Sequence, residues 1–261
     1  MTDLLTKEER QTVAMGAPIK YESGLLYEGD CLEIMPTLPA GSVDMILCDL
    51  PYGTTACKWD SIIPFEPLWR EYRRLIKPKG AIVLTASQPF STALGYSAID
   101  ILRYSWTWNK HFAGNFVQAK RMPLKVCEDV LVFCKSGSPA YYPQMVKRDK
   151  AIKSGGNGQK EGKAIRMKPK NYVLNKTYEL KFPETLISFS VREGRGLHPT
   201  QKPVALFEYL IKTYTRPGEV VLDNCAGSGT TGIAATNTDR RFILIEKEKE
   251  YIAVMKKRFA K

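Results

Sequence analysis

The stretch from Val220 to Thr231 constrains this chain more than any other. Val220-Val221-Leu222 is a short apolar run that reads as a buried strand. It ends in Asp223 and turns through Asn224-Cys225-Ala226-Gly227-Ser228-Gly229 into Thr230-Thr231, where a helix starts. Gly227 and Gly229 let backbone approach a ligand closely, and the helix N-terminus favours a negative group there. Twenty-three residues after Asp223 a second strand, Phe242–Ile245, ends in Glu246. An acid at that spacing is placed to accept hydrogen bonds from ribose hydroxyls. The two strand ends together describe a site for an adenosine-containing cofactor. Gly232 also completes a Gly-x-Gly-x-x-Gly spacing, so the loop alone accommodates NAD as readily as S-adenosylmethionine.

The remaining elements alternate in the same way. Val43–Cys48 and Ala81–Ala86 are apolar runs with the length of buried strands, and Leu102–Trp108 and Asp129–Cys134 read as two more. Apolar residues at helical spacing run from Phe65 to Ile76, stopped by Lys77-Pro78-Lys79-Gly80, and again over Pro203–Thr213 and Tyr251–Phe259. Strands alternating with helices predict an α/β fold, a Rossmann-like, mainly parallel sheet covered by helices on both faces.

A second motif follows the first of these strands directly: Asp49-Leu50-Pro51-Tyr52-Gly53. The strand end puts Asp49 at the mouth of the sheet, where open α/β folds bind ligands. Asp49 accepts a hydrogen bond from an amine. Pro51 holds Leu50 extended, which turns the Leu50 carbonyl toward the same point, and Tyr52 offers a flat face. Two acceptors beside an aromatic plate suit the exocyclic –NH₂ of a purine or pyrimidine.

The middle of the chain differs. Residues 137–197 contain thirteen Lys or Arg against five Asp or Glu, a local excess of eight out of a net charge of +12. Interleaved aromatics and a Ser154-Gly155-Gly156-Asn157-Gly158 loop accompany the charge, and periodicity is weak. The segment reads as an irregular insertion suited to a polyanion, with Lys147, Arg148, Lys150 and Lys153 as candidate phosphate contacts. The six cysteines show no Cys-x-x-Cys spacing and the two histidines lie far apart, so no metal site is expected and the thiols are read as reduced. No apolar run approaches the roughly 20 residues of a membrane span. The polar Met1–Arg10 does not read as a signal peptide, and a cytoplasmic location is expected.

Taken together the motifs resemble the β class of DNA amino-methyltransferases, a circularly permuted family whose catalytic Asp/Asn/Ser-Pro-Pro-Tyr motif precedes its cofactor loop. Asp49-Leu50-Pro51-Tyr52, the basic insertion, His198-Pro199-Thr200-Gln201-Lys202-Pro203, Asp223 through Thr231 and Phe242 through Glu246 match it in order and approximate spacing, from about Leu25 to Phe259. The resemblance implies S-adenosylmethionine as the cofactor and double-stranded DNA as the partner, with a homodimer allowed and a role in restriction-modification. It places Asp30 at the adenosyl end of the cofactor, and His198, Lys202, Thr230 and Thr231 near its methionine part. Asp223, Ala226, Gly227, Ser228, Gly229 and Glu246 complete the implied pocket. Three segments result: residues 1–136 as the catalytic half, 137–197 as the target-recognition region and 198–261 as the cofactor half. Leu50 departs from the family's first proline, but the requirement there is a backbone carbonyl.

The implied reaction is transfer to N6 of adenine, since adenine members usually carry Asp where cytosine-N4 members carry Ser. Hydrogen bonds from the amine to Asp49 and the Leu50 carbonyl localise its lone pair for in-line attack. The base must leave the stack, with Tyr52 on one face and Trp108, Phe112 or Phe116 as candidates for the other. The chain holds no Pro-Cys pair, which argues against the covalent route used at ring carbon C5. N4 of cytosine is the alternative target, and a non-catalytic DNA-binding protein on the same fold is the alternative of another class.

Overall fold

A computed structural model describes residues 17–53, 60–153, 177–191 and 201–260. Two compact units result. The main unit takes the described residues up to Tyr142 and again from Thr185, and the second is Pro143–Glu184.

In chain order the main unit opens with β1 (Ile19–Tyr21), β2 (Gly24–Glu28), the one-turn α1 (Cys31–Ile34) and β3 (Val43–Asp49). Then come α2 (Phe65–Leu75), β4 (Ile76–Ala86), α3 (Phe90–Ser97), β5 (Leu102–Asn109) and β6 (Cys127–Phe133). In the second unit β7 (Val146–Lys153) and β8 (Thr177–Lys181) form an antiparallel two-stranded sheet. The main unit resumes with β9 (Leu186–Ser188), α4 (Val204–Tyr214), β10 (Val220–Asp223), α5 (Thr230–Asn237), β11 (Arg241–Glu246) and α6 (Lys249–Phe259).

The main sheet has nine strands in the order β1-β2-β11-β10-β3-β4-β6-β5-β9. From β2 to β4 every pairing is parallel, while β6 runs antiparallel to both β4 and β5. That exception matters for the site. The start of β6 lies at the same edge as the ends of the parallel strands, so Thr85 at the end of β4 faces Val130 and Ala86 faces Asp129.

The period of two in the strands sorts side chains onto two faces. Ile46, Cys48, Ile82 and Leu84 pack with Leu68, Tyr72 and Leu75 of α2 and Phe90 and Leu94 of α3. Met45, Leu47, Val83, Val221 and Leu244 pack with Leu206, Leu210 and Ile211 of α4, Ala234 and Ala235 of α5, and Met255 of α6. Each face therefore closes its own core, as a central strand apolar on both sides requires, and the expected Rossmann-like α/β architecture is what the chain adopts.

Two expectations need correction. The Lys77–Gly80 segment does not separate α2 from the next strand: β4 already starts at Ile76, and the extra residues form a bulge between the pairings Val43–Ile76 and Met45–Ala81. A Cβ on Gly80 would lie 2.6 Å from the Asp44 carbonyl oxygen, so the bulge needs glycine. The insertion is also not wholly irregular, since β7 and β8 pair. Their residues alternate poorly because Val146, Ile152, Tyr178 and Leu180 are exposed, and a two-stranded sheet with exposed apolar residues carries no buried-face period.

Candidate active site

The glycine loop is organised from beneath by Asp223. Its Oδ1 accepts from the Cys225 N–H at 3.0 Å and its Oδ2 from the Thr231 hydroxyl at 2.5 Å. Both carboxylate oxygens are thus spent on the loop, and burial pushes the Asp223 carboxyl up to about 6 against the pull of those two donors. The helix α5 starts at Thr230, capped by Gly229 in the left-handed region at φ 81°. A Cβ there would come within 2.8 Å of Met255 Cγ, so glycine is required on two counts.

Glu246 closes the loop from the neighbouring strand. Its Oε2 accepts from the Gly227 N–H at 2.7 Å and its Oε1 from the Glu248 N–H at 2.9 Å. A carboxylate has about four lone-pair sites, so Glu246 keeps acceptor capacity beyond these backbone donors. Burial raises the Glu246 carboxyl above the ordinary range, with the backbone donors pulling the other way. The Gly29 N–H donates to the Glu246 carbonyl at 2.9 Å. Next to it Asp30 caps α1, its Oδ1 accepting from the Leu32 N–H at 2.8 Å.

Two strands away in the sheet, at the end of β3, stands Asp49. Its Oδ1 accepts from the Tyr52 hydroxyl at 2.7 Å and from the Thr85 hydroxyl at 2.5 Å. Its Oδ2 accepts from Lys202 Nζ at 2.7 Å. Lys202 also lies 3.6 Å from Glu128 Oε2, too far for a hydrogen bond, while Glu128 Oε1 pairs with Lys110 at 2.9 Å. Two carboxylates and two ammoniums thus alternate in one half-buried cluster. Burial works against the Lys202 charge, but Asp49 and Glu128 overcome it and lift its ionisation above the ordinary lysine range. Tyr52 is held neutral well above the ordinary phenol value by burial, then by Asp49 and Glu128. One face of its ring is covered by Phe90, 5.1 Å between centroids at 26°.

A single cavity of about 610 Å³ joins the two regions, within the size range of small-molecule sites. Asp30, Asp49, Leu50, Pro51, Tyr52, Lys202 and Glu246 all line it, as do Asp223, Ala226, Gly227, Ser228 and Thr230 of the loop. Gly229 and Thr231 do not reach it and act through the loop's shape. Of the three candidate aromatics, Trp108 is fully buried yet touches the cavity wall, Phe112 lines it, and Phe116, two residues beyond the lining residue Gly114, is exposed and not part of the lining. His198 lies outside the described residues. Lys147 and Lys150 are exposed on β7, Arg148 donates to the Leu180 carbonyl at 3.1 Å, and Lys153 ends the strand.

Four participants were not singled out from the sequence. Glu128, Thr85 and Lys110 meet Asp49 or its partners only through strand order. Asn224, 3% exposed, takes the Tyr72 hydroxyl on its Oδ1 at 2.5 Å and so ties the loop to α2. Tyr72 and Asn224 are 152 residues apart, and no local pattern links them.

The donor set fits an adenosine-bearing sulfonium. Glu246 offers acceptors for two ribose hydroxyls, and two buried side-chain oxygens at the cavity wall, Glu128 Oε2 and Gln201 Oε1, lack a hydrogen-bond partner among the described residues. Such acceptors suit a ligand that brings donors. Among the described residues no group of His, Cys, Asp and Glu could hold a metal ion, and no helix is long and apolar enough to cross a membrane.

Comparison with known proteins agrees with this geometry. A family described as DNA methylase, covering N6 and N4 enzymes, matches residues 43–257. The chain is similar to the DNA adenine methyltransferase YhdJ of Escherichia coli (strain K12), 29% identical over 88% of this chain and 81% of the relative. It is similar to the type II methyltransferase M2.MboI of Moraxella bovis, 26% identical over 90% of this chain and 86% of that one. Among solved structures, the cytosine-N4-specific PvuII DNA methyltransferase superposes with a TM-score of 0.70 over 94% of this chain and 90% of its own, at 18% identity, a likeness of fold alone. The M1.HpyAVI–SAM complex superposes with a TM-score of 0.59 at 26% identity, over 90% of this chain and 99% of its own.

Proposed function

The chain belongs to the DNA methylase family, and from that premise we propose that it is an S-adenosylmethionine-dependent methyltransferase acting on N6 of adenine in double-stranded DNA. The observation that carries the reading is the cavity shared by Glu246 and Asp49, two carboxylates at the ends of strands two places apart, which suits a ribose acceptor at one end and an amine acceptor at the other.

Bound S-adenosylmethionine supplies an electrophilic methyl group on a sulfonium. The glycine loop and Glu246 would hold it, the loop by close backbone approach and the carboxylate by its remaining acceptor capacity. Asp49 and the Leu50 carbonyl receive the two N–H bonds of the target amine, which draws its lone pair out of conjugation and toward the methyl group. Tyr52 and Thr85 commit Asp49 Oδ1, so Oδ2, with one lone pair left beside Lys202, is the oxygen that faces the substrate. After transfer the same Oδ2 would accept the proton that the methylated amine releases. Lys202 stands between the carboxylates of Asp49 and Glu128 and offsets the repulsion between them.

Adenine is favoured by the acid at position 49 and by the similarity to an adenine methyltransferase. N4-cytosine transfer is the second reading, allowed by the family, which covers N6 and N4 enzymes. Reaction with unmethylated genomic DNA followed by nucleoside mass spectrometry separates them: N6-methyladenine is expected, and N4-methylcytosine as main product would move the assignment to the second reading. Residues 137–197 are assigned the role of target recognition on their charge, and Lys147, Arg148, Lys150 and Lys153 that of phosphate contacts.

A further inference from the structure

The loop between β5 and β6, residues 110–126, turns its apolar side chains outward. Phe116 is 74% exposed and Val117 fully so, and Met122, Leu124 and Val126 are exposed with them. The same stretch contains Lys110, Lys120, Arg121 and Lys125 and no Asp or Glu. The loop is nevertheless organised. Asn115 clasps its neck, donating from Nδ2 to the Pro123 carbonyl at 3.1 Å and accepting the Lys125 N–H on Oδ1 at 2.7 Å. A 3₁₀ turn over Phe116–Gln118 shapes the tip, and the Arg121 and Met122 N–H groups both donate to the Gln118 carbonyl, at 2.8 and 3.1 Å. Lys125 Nζ donates to the Gln88 carbonyl at 3.1 Å and anchors the loop just beyond the end of β4. At its base, Phe112 and Gly114 line the candidate active-site cavity.

A preformed tip that leaves contiguous apolar side chains in water beside a cavity mouth marks a binding surface. We propose that this loop is a DNA wedge: Phe116 and Val117 enter the duplex and occupy the space vacated when the target nucleotide turns into the cavity, while Lys120 and Arg121 take adjacent phosphates. The inference rests on the function proposed above. The acid-free basic composition around the apolar tip favours a polyanion over a second copy of this chain, which would gain nothing from it. An apolar side chain inserted at a base step replaces part of the stacking that extrusion removes.

The test is single-turnover methyl transfer by wild type and by the double variant Phe116→Ser/Val117→Ser, both sites exposed and so without a role in the core. Each protein is given two duplexes that differ only in the target base, paired in one and mismatched in the other. The wedge predicts a loss of roughly tenfold or more on the paired duplex and a much smaller loss on the mismatched one, where extrusion costs less. Calorimetric affinity for S-adenosylmethionine stays as in wild type. Equal losses on both duplexes, or none on the paired one, overturn the wedge, as does a change of oligomeric state with the paired rate intact. A wild type that methylates DNA, with a double variant that does so equally well, loses the wedge alone; a wild type that methylates no DNA removes the proposed function and the wedge with it.

Discussion

Lys202 Nζ sits 2.7 Å from Asp49 Oδ2, across 153 residues of sequence, and makes the residue just ahead of α4 a partner of the residue that ends β3. The lysine is 9% exposed and has Glu128 as its second carboxylate neighbour. Replacing it by methionine leaves two half-buried acids near each other with less positive charge between them. Transfer by Lys202→Met is expected to fall, because Asp49 loses the ammonium that holds its Oδ2 and the repulsion between Asp49 and Glu128 is no longer offset. Lys202→Arg, which keeps the charge, is expected to recover part of the loss, and equal single-turnover rates in the two variants would remove the charge-balancing role.

Asp49→Ala removes the proposed acceptor of the amine but leaves the glycine loop untouched. Transfer should drop on the order of 10²-fold or more, with cofactor affinity little changed. Rapid-quench transfer assays and calorimetry read the two quantities separately, and near-normal turnover would take Asp49 out of the mechanism.

Glu246→Gln keeps the shape of the side chain but turns one acceptor into a donor facing the Gly227 or Glu248 N–H. Cofactor affinity should weaken roughly tenfold or more, the cost of an unmatched buried polar group. Gly227→Val should weaken it as well, since Gly227 has φ 52° and a β-branched side chain strains there. Unchanged titrations in both variants would mean that the cofactor lies elsewhere.

Asp223 links stability to pH. Its carboxyl, pushed up to about 6 in the fold, binds a proton more readily there than in the unfolded chain, where its value is the ordinary one near 4. The folded state therefore holds the extra proton between about pH 4 and 6, and stability from this group declines as pH rises through that window. The full penalty above it is about 3 kcal/mol. Thermal melts of wild type and Asp223→Asn across pH 4 to 7 should differ in slope, with the wild type gaining on acidification relative to the variant. Parallel curves would show that the buried carboxylate is not the cause.

Neutralising Lys147, Arg148, Lys150 and Lys153 together should lower DNA affinity and flatten its dependence on salt, by up to about 0.9 log–log unit for each phosphate no longer neutralised. Cofactor binding should be spared. Binding isotherms at several salt concentrations decide it, and a quadruple variant with the wild-type slope would reduce the basic strand to a solvated surface.

Legibility followed the range of the interactions involved. The strand ends could be read along the chain: Val43–Asp49 and Val220–Asp223 are apolar on both faces, so each must be central, and the acid and turn residues that follow must lie at the sheet's edge whatever the rest does. Gly229 and Glu246 were legible for the same reason, since backbone conformation and a strand terminus are local properties. Short elements such as β1, α3 and β9 were not, because three to eight residues carry too little period to read. The charge network around Asp49 took shape only in three dimensions. Glu128 stands beside Lys202 because β6 runs antiparallel in an otherwise parallel region, and Lys202, read from the chain as a cofactor residue, turns to Asp49 because two half-buried carboxylates near the same point outweigh the cost of burying its ammonium. Charge partners depend on strand order, which packing of the whole sheet sets, and no spacing along the chain encodes it.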